Sequence, residues 1–230
     1  MKKYNVAIVG ATGAVGHELL KVLAERDFPV GNLLLLASAR SEGKKMIWQG
    51  REYTVHEATP EVFEDVDLVL FAGGSISKTL APEAVKRGAV CIDNSSTFRY
   101  DSAVPLVVPE VNPEDVRWHK GIIANPNCST IQMVVALKPL YDAFGIKRVV
   151  VATYQAVSGA GKEGLTELEQ QIKQLAAGKE TFPETFPYQI ACNVIPHIDI
   201  FLDNDYTKEE MKMTWETQKM LHDEKTKKTN

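Results

Sequence analysis

The sequence predicts an α/β protein: a Rossmann-like doubly wound parallel sheet, followed by a second α/β region. Three observations carry this expectation. Apolar runs alternate with amphipathic stretches across the first half, as βαβ units require. Three glycines, Gly10, Gly13 and Gly16, sit where the first apolar run gives way to the first amphipathic one. Beyond residue 128 the same alternation resumes with a helical stretch and then a valine-rich run.

Taken in order, the strands are expected at 4–9, 32–37, 67–71, 89–93 and 121–124. Each is a short apolar run, the signature of a strand buried on both faces. A helix is expected over 15–26, where Leu19, Leu20 and Leu23 share one side and Lys21, Glu25 and Arg26 the other. A second helix is expected over 77–87 and a third over 129–144. The segment 147–154, rich in valine, reads as a further strand. Helical periodicity returns in KEGLTELEQQIKQLAAG, with Gly178 as its stop, and KETFPETFPYQ, with two prolines, reads as a loop. The polar tail after Lys225 carries no pattern from which an element can be read.

With 230 residues the chain suffices for two modest domains, each with its own core. At 44% hydrophobic and 24% charged it has a globular rather than a disordered composition. A net charge of −4 gives no basic footprint for nucleic acid, although a few local Lys or Arg side chains suffice for a small anionic substrate. No apolar run reaches the length of a membrane span, and the one in MKKYNVAIVGATG stops at Gly10, too early for a secretory signal. The expectation is a cytoplasmic chain with reduced thiols, since Cys91, Cys128 and Cys192 are too few and too scattered for a disulfide framework or a zinc site.

The chemistry concentrates in two motifs. In VAIVGATGAVGHELL, Gly10 can make the tight turn, Gly13 lets backbone approach a phosphate and Gly16 allows close helix-to-strand packing, while the helix N-terminus offers N–H groups to an anion. After the second strand comes LLASARSEGKK, with Arg40 and Ser41 where NAD-binding proteins carry an acid for the ribose hydroxyls. Arg40 can pair with a 2′-phosphate, so NADP is preferred over NAD; the alternative is a solvated basic loop. In IIANPNCSTIQM, Pro126 disfavours helix at Asn125 and places Cys128 at or just before a helix N-terminus. There the helix dipole favours a negative sulfur, and the first N–H groups can hold an oxyanion on an attacked carbonyl. Cys91 and Cys192 lie in apolar runs and read as core; for Cys128 the alternative is a capping segment with an incidental thiol. A nicotinamide cofactor beside a cysteine nucleophile implies acyl–aldehyde interconversion through a thioester.

Together GATGAVG, SARS, APEAVKRGAVCIDNSSTFR, PLVVPEVN, IIANPNCSTIQM, TYQAVSGAGKEG, NVIPHID and EEMKM resemble the bacterial aspartate-semialdehyde dehydrogenase family over nearly the whole chain. The resemblance implies reduction of L-aspartyl 4-phosphate with NADPH to aspartate 4-semialdehyde and phosphate. Cys128 then resembles the acyl-enzyme nucleophile and Gln155 the residue that orients substrate beside it. Gly10 and Thr12, Gly13, Ala14 and Val15 resemble the NADP pyrophosphate turn, Arg40 and Ser41 the 2′-phosphate site, and Ser158 and Gly159 contacts near the nicotinamide. Arg99 and Lys212 resemble the pair that binds the substrate phosphate, and Glu209 the acid that grips the substrate amine. The resemblance divides the chain into an NADP-binding domain, 1–127, and a partial catalytic or substrate domain, 128–230, through which family members form homodimers.

One family motif, R-x-P-V-x-x-H, does not occur in these 230 residues; no arginine follows Arg148, and His197 sits between apolar residues as a structural residue would. The sequence is accordingly expected to represent the N-terminal portion of a longer enzyme, with an incomplete substrate domain and impaired turnover. Three rivals are N-acetyl-glutamyl-phosphate reductase, which is expected to read NPGCY at the thiol, a glyceraldehyde-phosphate dehydrogenase-like enzyme, which shares the thioester logic but differs around the cysteine, and a non-catalytic NADP-binding protein.

Overall fold

The computed structural model describes residues 2–222. These fall into two compact units, residues 2–147 with 212–222, and Arg148–Met211.

The first unit is built on a seven-stranded sheet. Its strands are β1 (Tyr4–Val9), β2 (Val30–Ala37), β3 (Lys45–Trp48), β4 (Arg51–Glu57), β5 (Leu68–Phe71), β6 (Val90–Asp93) and β7 (Ile122–Ala124), in the order β3-β4-β2-β1-β5-β6-β7. All neighbouring pairs are parallel except β3 with β4. Strand β1 is apolar and buried from Val6 to Val9 because both faces of that stretch are covered. Ala7 and Val9 pack into one core with Val69, Phe71, Cys91 and, from helix α2 (Ser77–Lys86), Leu80 and Ala84. Val6 and Ile8 point the other way, into a core with Leu33, Leu35, Val55 and Leu20 of helix α1 (Ala14–Glu25). Burying a side chain of that size contributes about 1.5–3 kcal/mol, so this strand anchors both layers.

The expected strands and helices of the first half are present, shifted by a residue or two at their ends. The β3–β4 hairpin was not expected. Its turn, Gln49-Gly50, has both residues at positive φ (47° and 75°), the geometry of a two-residue hairpin turn.

Helix α3 (Cys128–Phe144) begins with the cysteine itself, one residue earlier than its apolar pattern suggested. Val134 of α3 packs with Leu106, Val108, Ala124 and Met220, and Met220 belongs to helix α5 (Lys208–Leu221). The Lys219 ammonium secures the same helix by donating to the carbonyls of Arg99, Asp101 and Val104 at 2.7–2.8 Å.

The second unit is organised around helix α4 (Gly161–Ala176). Two polar residues one turn apart, Glu167 and Gln171, are buried against the proline-containing loop that follows. Glu167 accepts from the N–H groups of Glu184, Thr185 and Phe186, and Gln171 Oε1 from those of Ile190 and Ala191 at 2.9 and 3.0 Å. Burial alone would push the Glu167 carboxyl up; the backbone N–H groups that it accepts outweigh this and hold it below its ordinary value.

Two expectations fail in this unit. Residues 147–154 form no strand: among the described residues none pairs with them, and Val150 and Tyr154 stand 81% and 91% exposed. A valine-rich run becomes a strand only where another strand takes up its N–H and C=O groups. Cys192 is exposed rather than core, because it adopts a left-handed backbone conformation (φ 55°) just after buried Ala191. Among the described residues, no helix is long and apolar enough to cross a membrane.

Candidate active site

Every loop of interest in the first unit leaves the C-terminal end of a parallel strand, and β1 lies where the strand order reverses direction, with β2 on one side and β5 on the other. In open sheets of this kind a crevice for ligands opens at that reversal.

The glycine turn occupies this position. Gly10 has φ 87°, and its N–H and that of Ala11 both donate to the Leu36 carbonyl, at 2.8 and 3.0 Å, which ties the turn to β2. Gly16 has no room for a side chain: a Cβ there would collide with the Gly10 carbonyl and come within 2.6 Å of the Ala11 oxygen. At Gly13, by contrast, the nearest such contact is an ordinary 3.4 Å. The structure therefore gives the glycines different work, a left-handed turn at Gly10 and helix-to-strand contact at Gly16. Gly13, Ala14 and Val15 are exposed and Thr12 half-buried, and the helix-terminal N–H groups of Ala14 and Val15 have no intrahelical partner. These residues fit a pyrophosphate: an open helix N-terminus behind a turn with no side chain in the way.

At the end of β2, Arg40 is exposed on a 3₁₀ turn, Ala39–Ser41. Ser41 is buried, and its hydroxyl accepts from the Lys44 ammonium at 3.2 Å, so a second cation is held beside the turn. In the chain, Ser38 rather than an acid follows Ala37, and the neighbour of Ala37 across the sheet is Glu57 of β4.

Cys128 is exposed at the first position of α3. Asn127 caps the helix, its side chain accepting from Ser129 N–H at 2.9 Å. The N–H groups of Cys128 and Thr130 are left as first-turn donors. Cys91, in contrast, is fully buried in β6, where burial pushes its thiol up to about 12.

Arg99 is buried beneath this loop, and each of its nitrogens is engaged. Nε donates to the Asn125 carbonyl at 2.9 Å, Nη2 to the Asn94 carbonyl at 2.9 Å, and Nη1 to Glu216 Oε1 at 3.1 Å. Glu216 is fully buried, and its other oxygen accepts from Asn127 N–H at 2.6 Å. Lys212 lies one helical turn before Glu216 on α5, so it shares the face of the helix that meets Arg99. The structure thus associates the two expected phosphate cations with one helix face, and gives Arg99 partners of its own.

Within the second unit, Gln155 and Glu209 come together. Gln155 Nε2 donates to Glu209 Oε1 at 3.1 Å, and Thr153 Oγ1 donates to Gln155 Oε1 at 3.0 Å. Glu209 is buried, whereas Ser158 and Gly159 are exposed in a 3₁₀ turn, Val157–Ala160, that leads into α4. His197 stacks near Phe201, ring centroids 5.3 Å apart, as a structural histidine does.

The sequence alone did not single out several residues of these loops. Gly73 and Gly74, after β5, both have positive φ and open space where a Cβ would be, which makes a second glycine loop at the crevice; FAGGS was the available signal. Ser95 bonds Asp93, Ser77 and Thr97 at 2.7–2.9 Å in a buried cluster that fixes the start of the NSSTFR loop. Glu216 had no local signal.

Comparison with known proteins matches residues 5–119 to the family description "Semialdehyde dehydrogenase, NAD binding domain" and residues 137–229 to "Semialdehyde dehydrogenase, dimerisation domain". The chain is 61% identical over 229 residues to aspartate-semialdehyde dehydrogenase of Aquifex aeolicus, covering 97% of this chain and 67% of that one. Among solved structures, aspartate semialdehyde dehydrogenase II of Vibrio cholerae complexed with ASA superposes with a TM-score of 0.94 at 56% identity, over 97% of this chain and 67% of that one. Aspartate semialdehyde dehydrogenase with NADP from Candida albicans reaches 0.54 at 30% identity, over 62% and 48%. The chain spans about two thirds of the length of the curated relatives it matches.

Proposed function

Because the chain belongs to the aspartate-semialdehyde dehydrogenase family, we propose that its residues bind NADP and form the Cys128 thioester through which L-aspartyl 4-phosphate becomes L-aspartate 4-semialdehyde. The observation that carries this reading is the exposed thiol at the first residue of α3, on the same C-terminal sheet edge as an open glycine turn.

The Cys128 sulfur attacks the acyl carbon of the substrate. The bond from that carbon to the phosphate oxygen breaks, phosphate leaves and a thioester forms on sulfur. The first-turn N–H groups of α3 are placed to take the negative charge that develops on the carbonyl oxygen. Arg99 and Lys212 bind the phosphate, Glu209 holds the α-ammonium, and Gln155, fixed by Glu209 and Thr153, orients the carbonyl. NADPH, when bound, supplies the hydride that reduces the thioester carbon. Release of the aldehyde returns the Cys128 thiol. The proton that the thiol loses on attack passes to solvent, and one is taken back from solvent when the sulfur leaves the aldehyde carbon.

Thr12, Gly13, Ala14 and Val15 hold the pyrophosphate, Arg40 and Ser41 the 2′-phosphate, and Ser158 and Gly159 the nicotinamide end. Arg40 and Lys44 at the end of β2, together with the Candida relative's NADP, support NADP over NAD. Residues 1–127 form the cofactor part and 128–230 the substrate part of a cytoplasmic homodimer, and the dimerisation-domain match supports the pairing.

The test is a single-turnover experiment. The polypeptide is mixed with aspartate semialdehyde and NADP without phosphate, NADPH is followed by absorbance, and the product is mapped by peptide mass. A burst of NADPH with an acyl group on Cys128, both abolished in Cys128→Ala, is the expected result. A burst that survives Cys128→Ala, or an adduct on Cys192, refutes the assignment.

A further inference from the structure

A buried ion pair spans the loop that presents Cys128, whose Asn125 also donates its N–H to the Asp93 carbonyl at 2.8 Å and its side-chain amide to Asn94 Oδ1 at 2.7 Å. Asn125 and Asn127 flank Pro126, which has no N–H of its own. On one side of the proline the Arg99 guanidinium donates to the Asn125 carbonyl at 2.9 Å; on the other, Glu216 Oε2 accepts from the Asn127 N–H at 2.6 Å. Arg99 and Glu216 close the circuit between themselves at 3.1 Å, with side chains 8% and 0% exposed. Asn127 then transmits this fixed position to the helix by capping Ser129 N–H, so Cys128 sits between two backbone groups whose positions are set.

We propose that Glu216 is a positioning residue for the Cys128 nucleophile: its one carboxylate holds the Asn127 N–H and the Arg99 guanidinium together, which fixes the loop carrying the thiol and balances the positive charge beside it. A packing role alone would not need a carboxylate, since a buried ion pair is replaceable by apolar side chains of similar volume with little loss of stability. The two acceptor oxygens serve two donors of different kinds, a backbone amide and a cation. A glutamine can offer only one acceptor atom in their place, and its NH₂ would face a donor. The charge balance matters because Arg99, left without Glu216, would present its full positive charge beneath the loop that carries Cys128. The proposal rests on Cys128 being the nucleophile, yet its first readouts need no substrate, so it and the proposed function can fail separately.

The experiment compares the 230-residue chain with Glu216→Gln, Glu216→Asp and the apolar double variant Arg99→Met/Glu216→Leu. Alkylation of Cys128 by neutral iodoacetamide and by anionic iodoacetate is followed by peptide mass, with exposed Cys192 as internal control and thermal melting as the check of folding. Glu216→Gln should raise the iodoacetate-to-iodoacetamide rate ratio at Cys128 by about tenfold, the scale of one unit charge at an effective dielectric of about 20, and leave the ratio at Cys192 unchanged. Glu216→Asp, which keeps the charge, should restore most of that ratio. The double variant should fold and keep a near wild-type ratio, yet lose the slow exchange of the Asn127 amide. A folded Glu216→Gln chain whose ratio and Asn127 exchange match wild type overturns the proposal. If Glu216→Gln does not fold, the wild-type chain decides: an Asn127 N–H that exchanges as fast as an exposed loop amide overturns it without any variant, and slow exchange upholds it. Intact Cys128 ratios with no substrate-dependent acylation would sink the proposed function and leave this inference standing.

Discussion

Replacing Gly16 with alanine puts a Cβ where the structure has backbone on two sides. The added atom would collide with the Gly10 carbonyl and lie 2.6 and 2.7 Å from the Ala11 oxygen and carbonyl carbon. None of these is a flexible side-chain end, so α1 must move away from the turn by several tenths of an ångström. Overpacking of this kind costs about 1–3 kcal/mol, and rigid backbone neighbours put Gly16 near the upper end. For a domain of this size, that lowers Tm by about 5–10 °C. The same displacement opens the turn, so NADP affinity should fall at least tenfold, which corresponds to about 1.4 kcal/mol. Gly13→Ala is the control: with its nearest contact at 3.4 Å and an ordinary φ of −86°, it should melt within a degree or so of wild type. Its Cβ would nevertheless crowd the pyrophosphate and weaken NADP. Circular dichroism melts and titration calorimetry with NADP read both quantities. A Gly16→Ala chain that melts and binds like wild type would refute the account of this turn.

Three further outcomes are expected. Iodoacetamide at neutral pH should label Cys128 and Cys192 in the folded chain and spare Cys91, whose thiol burial has raised to about 12; early labelling of Cys91 on peptide maps would contradict its place in the core. Glu167→Gln should destabilise the second unit by about 2–4 kcal/mol, because an amide cannot satisfy the backbone donors gathered there, and limited proteolysis of residues 181–191 should speed up accordingly. The Glu167 carboxyl is held below its ordinary value, so its contribution is present above the ordinary glutamate range and fades as pH falls through the depressed folded value; proteolysis that is no faster at acid pH would oppose this. Arg40→Ala should weaken NADP about tenfold or more and leave NAD nearly unaffected; an equal loss for both would remove the 2′-phosphate from that position.

What the sequence made legible was whatever depends on neighbours in the chain. The run NVAIV, the glycine spacing and the periodicity of residues 15–26 report local geometry, and β1, the turn and α1 lie where these place them. Pro126 before Asn127 and Cys128 likewise fixed the thiol at a helix start. The valines at 149–151 carried a strand's propensity but no record of a partner, and they stand exposed. Cys192 had an apolar neighbourhood in sequence, but a left-handed backbone turns it outward. Glu216 was beyond reach for another reason. Its partners, Asn127 and Arg99, lie 89 and 117 positions away, and no spacing rule connects an acid in a helix with a loop that distant.

That distance also orders events in time. The residues Arg148–Met211 interrupt the first unit, and the helix that returns to it brings Glu216 and Lys219 only after that stretch has been made. The sheet, the glycine turn and the cysteine itself emerge from the ribosome well before the carboxylate that grips the Asn127 amide. Closing so long a loop adds little extra entropy, since the cost grows only with the logarithm of its length. In a growing chain the residues of the glycine turn and of the cysteine loop are therefore all present before the carboxylate that joins Asn127 to Arg99.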